Sequence, residues 1–90
     1  MPKIRLNNDT TKALGIWVEP WGEDYWMNPM EEFTITTEPP EGVDPDEVPF
    51  DVVFHNQGVS VGVNVGYEAV VHDQSGAVLV CGHQRPLEVP

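Results

Sequence analysis

Ninety residues provide for one thin core, since a chain of this length buries only about 60 to 65% of the surface its unfolded form exposes. Four Lys plus Arg against fifteen Asp plus Glu leave a formal charge of -11, and a surface of that sign repels phosphate backbones and anionic headgroups, which argues against nucleic-acid and membrane partners. Hydrophobic residues at 40% suit a folded chain, and the single cysteine, Cys81, cannot form an internal disulfide, which points to the reducing cytoplasm rather than to a stapled secreted domain.

Along the chain the dominant pattern is alternation of period two in short β-branched runs bounded by Gly, Pro, Asn and Asp, the signature of strands and turns. Alternation begins at residues 3–7, with no apolar run of the length that a signal peptide or a membrane span needs, so no export is expected. Residues 13–18 alternate as well, with Leu14, Ile16 and Val18 on one face. Asn8, Asp9, Thr10 and Thr11 lie between the two runs and have turn chemistry, so a first hairpin is expected there. Residues 19–30, rich in Trp, Pro and Gly, read as a loop.

Residues 32–37 place Phe33 and Ile35 on one face and Thr34 and Thr36 on the other, as in a sheet wet on one side, and residues 50–55 continue in that style. Between them, residues 38–49 carry Glu38, Glu41, Asp44, Asp46 and Glu47 among four prolines, which makes a stiff acidic loop with at most one helical turn near 44–48. Val59, Val61, Val63 and Val65 then alternate against Ser60, Gly62 and Asn64, the clearest strand of the chain. Residues 67–72 and 77–82 flank a turn at Asp73, Gln74, Ser75 and Gly76 and read as a central hairpin. No long segment keeps helical spacing, and nine prolines interrupt any candidate. The expectation is one all-β domain over residues 1–90, a small antiparallel β-sandwich or barrel of about six to seven strands, with the sandwich preferred.

The most distinctive stretch sets Trp17, Trp21, Tyr25 and Trp26 beside Glu19, Glu23, Asp24 and Glu31. Trp17 and Trp26 can plug the open ends of a thin core, or the group can form a binding surface, because aromatics beside polar groups suit protein hot spots and ligand pockets alike. The run Glu19-Pro20-Trp21-Gly22-Glu23-Asp24-Tyr25, followed by Pro29 and the strand over 33–37, resembles a motif of small bacterial proteins in which an acidic Pro-Trp-Gly turn leads into a Pro-containing turn and a strand. That resemblance implies a bacterial cytosolic origin and no particular activity.

Cys81 and His83, with His55 and His72, have the chemistry of copper or zinc ligands. The set resembles that of cupredoxins, small β-sandwiches in which a C-terminal loop carries Cys, His and usually Met, with another His upstream, a part His55 would play. Two departures weigh against a metal: one residue separates Cys81 from His83 where the family has two or more, and no Met follows. A buried thiol with surface imidazoles is the plainer reading, and no cofactor is expected. Nucleophilic catalysis would need a histidine oriented on Cys81 or Ser60, and no Gly-Xaa-Ser-Xaa-Gly, phosphate-cradling or His-Glu-Xaa-Xaa-His motif occurs. Adjacent acids such as Glu23 and Asp24 point to opposite faces of a strand and make no acid/base pair.

The sequence therefore leads to a non-enzymatic interaction module. Trp21, Glu23, Asp24, Tyr25 and Trp26 from one loop and Glu41, Asp44, Asp46 and Glu47 from the other would form a face for a basic protein partner. The alternative is a small-ligand or metal site in a cupredoxin-like sandwich.

Overall fold

A computed structural model describes residues 1–87. It contains seven strands: β1 (Lys3–Asn7), β2 (Leu14–Glu19), β3 (Glu23–Met27), β4 (Glu32–Thr37), β5 (Phe50–His55), β6 (Gly58–Val63) and β7 (Ala69–Asp73). They build a three-stranded sheet in the order β1-β4-β7 and a four-stranded sheet in the order β3-β2-β6-β5. The protein is an all-β sandwich, as the alternation predicts.

The same alternation explains the core. Ile16 and Val18 of β2, Tyr25 and Met27 of β3, and Val61 and Val63 of β6 face Phe33 and Ile35 of β4 and Val71 of β7 across the gap. Each fully buried aliphatic or aromatic side chain contributes about 1.5–3 kcal/mol. Phe33 and Ile35, on the middle strand of the smaller sheet, are wholly buried.

Several expectations fail, each for a physical reason. Residues 3–7 and 13–18 do not pair: β1 runs antiparallel to β4, with Leu6 opposite Phe33, whereas β2 joins β3 and β6. Their apolar faces meet across the core instead of lying side by side, so residues 8–13 carry the chain from one sheet to the other. Residues 19–30 are not a loop throughout, because β2 and β3 form a hairpin around Pro20, Trp21 and Gly22, the last with φ +67°. Here Tyr25 and Met27 point inward while Asp24 and Trp26 point outward, an alternation that an outward-facing tryptophan disguises in the sequence.

The third failure is the C-terminal hairpin. Its turn forms as expected, with the Asp73 carboxylate accepting from the Ser75 and Ala77 amides at 2.8 and 3.1 Å. The return run, however, makes a single bridge, His72 to Val78, and then leaves the sheet. Leu79 is buried and its N–H donates to Val71 O at 2.8 Å, after which the chain crosses to β3, where Trp26 N–H donates to His83 O at 2.8 Å. β7 is therefore an edge strand rather than a central one, and residues 78–83 close that side of the sandwich.

The four-stranded sheet also departs from an all-antiparallel arrangement, since β2 and β6 run parallel. Their closest approach is at Gly15 and Gly58. A Cβ on Gly58 would fall 2.1 Å from Gly15 O, and its φ of +145° excludes L side chains without strain.

Asn8 fixes the crossover between the sheets. Its buried side-chain amide donates to Lys12 O and Met27 O, both at 2.8 Å, and its Oδ1 accepts from the Thr10 amide at 3.0 Å and hydroxyl at 2.7 Å. Its backbone accepts from Met30 N–H and donates to Glu31 O. Asn8→Ala removes the side-chain donor to Met27 O and leaves Lys12 O only the Thr10 hydroxyl at 3.0 Å, and should cost about 1–3 kcal/mol in chemical unfolding. Asn8→Asp, which turns an acceptor toward those carbonyls, should cost at least as much; a loss below about 1 kcal/mol in both variants refutes the role.

Candidate functional site

The four-stranded sheet determines where the singled-out residues go. On its outer face, β3 carries Asp24 and Trp26, β2 carries Gly15, Trp17 and Glu19, β6 carries Gly58, Ser60 and Gly62, and β5 carries Asp51, Val53 and His55. The absence of side chains at Gly15 and Gly58 leaves a trough in the middle of this face. Trp17 leans into it, 2.5 Å from where a Cβ on Gly15 would stand. Trp26 meets Trp17 edge-on at 5.6 Å between centroids, and His55 stacks at a tilt on the other side at 5.5 Å, so three rings from three strands form a row over the glycines. The row accounts for the partial burial of Trp17 and Trp26, which cover the sheet rather than plug its ends.

At one end of the row Asp24 Oδ2 accepts hydrogen bonds from Arg85 Nε at 2.7 Å and from Trp26 Nε1 at 2.8 Å, and Oδ1 accepts from the Cys81 thiol at 3.6 Å and pairs with the second Arg85 nitrogen. Arg85 holds the Asp24 carboxyl well below the usual carboxylate range, against the opposing effect of burial and with help from Trp26. The arrangement is structural. It ties the segment after Leu79 onto the β3 edge through charge-assisted hydrogen bonds.

Two residues expected on a partner-binding surface are therefore elsewhere. Tyr25 is 4% exposed and belongs to the core, where burial pushes its phenol up, with Glu23 adding to the effect. Asp24 is 9% exposed and already paired. Trp26 is half-buried in the aromatic row, Glu23 is half-buried at the start of β3, and Trp21 remains 38% exposed at the tip of the hairpin.

The metal-type residues separate. His55 lies on β5 and His83 against β3, at opposite edges of the same sheet. Among the described residues, no three His, Cys, Asp or Glu side chains come together to hold a metal ion. Cys81 is exposed, not in the core, and His83 sits edge-on to Phe33.

One pair does meet. His55 Nε2 and Ser60 Oγ are 3.0 Å apart, the contact that a serine nucleophile and its base would make. The Gln57 backbone N–H, which can only donate, points at His55 Nδ1 at 3.2 Å. The neutral ring therefore carries its proton on Nε2 and donates it to Ser60. A general base needs the opposite tautomer, with a free lone pair facing the hydroxyl. The bond instead joins β5 to β6 and steadies the ring stacked on Trp17.

The acidic loop keeps the exposure predicted for it. The β2–β3 turn, the ends of β4 and β6 and the start of β5 lie at one end of the sandwich, so Trp21 and residues 38–49 share it. Glu41, Asp44, Asp46 and Glu47 are all exposed. Asp44 shapes the loop by accepting from the Asp46 amide at 2.8 Å and the Glu47 amide at 2.9 Å, the latter making the single turn expected near 44–48. Asn64 anchors its end, donating to Val48 O at 3.1 Å and to Asp51 Oδ2 at 2.7 Å. Beneath the carboxylates is a hollow of about 260 Å³ lined by Pro2, Pro39, Pro40, Pro45, Pro49 and Val65. At the opposite end, a larger open cleft of about 760 Å³ runs between β1 and the β5–β6 hairpin, with Leu6, Leu14, Ile16, Met27, Phe54 and Val59 in its walls and Lys12 at its border.

No family profile, curated protein or solved structure matches this chain significantly. No helix among the described residues is long and apolar enough to cross a membrane.

Asp24 supplies a pH test. Its folded carboxyl binds a proton less tightly than its unfolded one, so its stabilisation is present above the unfolded value of about 4 and is lost as pH falls through the lower folded value. Asp24→Asn should cost about 1–3 kcal/mol at pH 7, and the gap to the wild type should close as the medium is acidified below about pH 4. A gap that stays constant down to the acid limit contradicts the pairing with Arg85.

Proposed function

We propose that this chain is a non-enzymatic interaction module of a reducing, cytoplasmic compartment, and that its acidic end receives a basic protein. The observation that carries the reading is the shared location of Trp21 and the exposed carboxylates Glu41, Asp44, Asp46 and Glu47 on a loop held by four prolines and Asn64. A pre-ordered loop loses little entropy on binding, a partly exposed indole provides an anchor, and a one-signed surface speeds encounter with a partner of opposite sign. The proton position in the His55–Ser60 pair supports a non-catalytic role for that contact. Glu23 borders the same face, whereas Tyr25 lies in the core and Asp24 and Trp26 are engaged on the outer face of the sheet.

A second reading, small-ligand binding, is favoured by one observation, the apolar cleft beside Phe54 at the other end.

The test is capture of partners from the source lysate with the wild type, the triple variant Asp44→Lys, Asp46→Lys, Glu47→Lys, and Trp21→Ala, followed by kinetics on the partner found. The triple variant should associate about tenfold more slowly, with a flatter salt dependence, and Trp21→Ala should dissociate faster. Identical partner sets and rates for all three proteins refute the acidic face and move attention to the cleft.

A further inference from the structure

The four outer strands of the two sheets are not treated alike. The β3 edge is covered by residues 82–83, through Gly82 N–H to Asp24 O and Trp26 N–H to His83 O. β7 is bordered by the Val78 bridge and by Leu79. Among the described residues β1 is unpaired on one side, but it presents Lys3 and Arg5, the charged residues that discourage strand addition. β5 is uncovered, and its one carboxylate, Asp51, stands at its start. Among the described residues no strand pairs with its outer side, and after Asp51 it runs Val52, Val53, Phe54, with Val53 57% and Phe54 81% exposed.

The hydrogen-bond phase of this edge is determined. Asn64 N–H donates to Pro49 O at 2.9 Å, so positions 49 and 64 form a hydrogen-bonded pair. Continuing the register, Asp51 with Gly62, Val53 with Ser60 and His55 with Gly58 are hydrogen-bonded pairs too. The N–H and C=O groups of Val52 and Phe54 therefore point away from the sheet, free to receive another strand.

We propose that this strand is a second copy of β5, giving a twofold dimer in which the four-stranded sheets join edge to edge. Antiparallel self-pairing that respects the phase must match even-numbered residues with even-numbered ones. With Val53 on the axis, Val52 faces the partner's Phe54, and on the outer face Asp51 faces the partner's His55. Over residues 51–55, apolar then meets apolar and polar meets polar on both faces, and Phe50 lies beyond the paired span. A shift of two residues either way puts Asp51 or His55 against Val53. The antiparallel arrangement also keeps the two acidic loops at opposite ends of the joint, each toward the partner's Lys12 end, which is how chains of charge -11 can associate. A joint of five paired residues per strand buries less than the standard interface of about 1,600 Å², so the dimer is concentration-dependent.

This inference is independent of the acidic-face reading and has its own test. Sedimentation from micromolar to millimolar concentration should show the wild type passing from its 10.0 kDa monomer to twice that mass. Phe54→Pro removes only an outward-facing N–H, and Val53→Lys sets two ammonium groups against each other on the axis. Each should weaken association at least about tenfold while circular dichroism remains that of the wild type. In a Cys81→Ser background, Val53→Cys should oxidise to a covalent dimer, because an axial pair without mutual hydrogen bonds has Cα atoms about 4.5 Å apart, within disulfide reach. Phe54→Cys, whose counterpart is Val52, should not. A wild type that stays monomeric throughout, or a dimer that persists in both variants and fails to cross-link at position 53, overturns the proposal.

Discussion

The sandwich depends on a single buried amide. Crossing from one sheet to the other strips a chain of its ladder partners, and each backbone group left unpaired in the interior costs as much as a lost hydrogen bond. Asn8 resolves this at the point where it is worst. Its side chain satisfies Lys12 O and Met27 O and orients Thr10, and its main chain engages Met30 and Glu31. One residue thus holds together the end of β1, the crossover, the end of β3 and the turn before β4. Because β1 and β4 belong to one sheet and β2 and β3 to the other, this amide links the two layers whose core faces bring Leu6 and Phe33 on one side to Ile16 and Met27 on the other.

The second constraint follows from the first. A chain that alternates between sheets returns to the four-stranded sheet with β5 and β6, and β6 must lie parallel to β2. Glycines at 15 and 58 permit the close approach and remove two side chains from the outer face. The gap is refilled by Trp17, flanked by Trp26 and His55, so the aromatic residues serve the sheet before they serve any partner. Their rings cover backbone that a sheet with small residues would leave to water, and Asp24 with Arg85 continues the cover to the β3 edge.

How much of this was legible in the sequence follows from where each signal resides. Period-two alternation is local, so the strands over 3–7, 32–37 and 50–55 were readable, as was the inward set Val59, Val61, Val63 and Val65. Which strands pair is not local: the turn chemistry of Asn8 and Thr10 suggested a hairpin, whereas its burial, invisible in the sequence, makes it a bridge between layers. β3 was missed because Trp26 faces outward, so Tyr25, Trp26 and Met27 gave an unbroken apolar run rather than alternation. The exposed loop at 38–49 was legible because prolines and carboxylates determine it without any partner. The pairing of Asp24 with Arg85 spans 61 residues and left no trace a motif could carry. Cys81 and His83 show the converse case, in which residues of suggestive chemistry close in sequence are set apart from His55 by three intervening strands.

The distribution of charge joins these points. The chain has four cationic side chains: Arg85 is committed to Asp24, and Arg5 lies 3.6 Å from Glu32. Lys3 and Arg5 sit on β1, the unpaired edge of the smaller sheet, where their charge opposes strand addition, while Lys12 belongs to the end remote from the acidic loop. Three of the four cations thus serve edge protection or pairing with carboxylates, and many of the excess carboxylates gather at the same end of the sandwich as the Trp21 turn. A chain needing acidity for solubility alone would gain most by spreading it and by guarding every edge, since an exposed apolar edge strand invites association whatever the net charge. Here the charge is concentrated at one end and the Val52-Val53-Phe54 edge is left without a charged guard. That combination makes sense for a molecule with two separate contact surfaces, one selected by charge and one by backbone pairing.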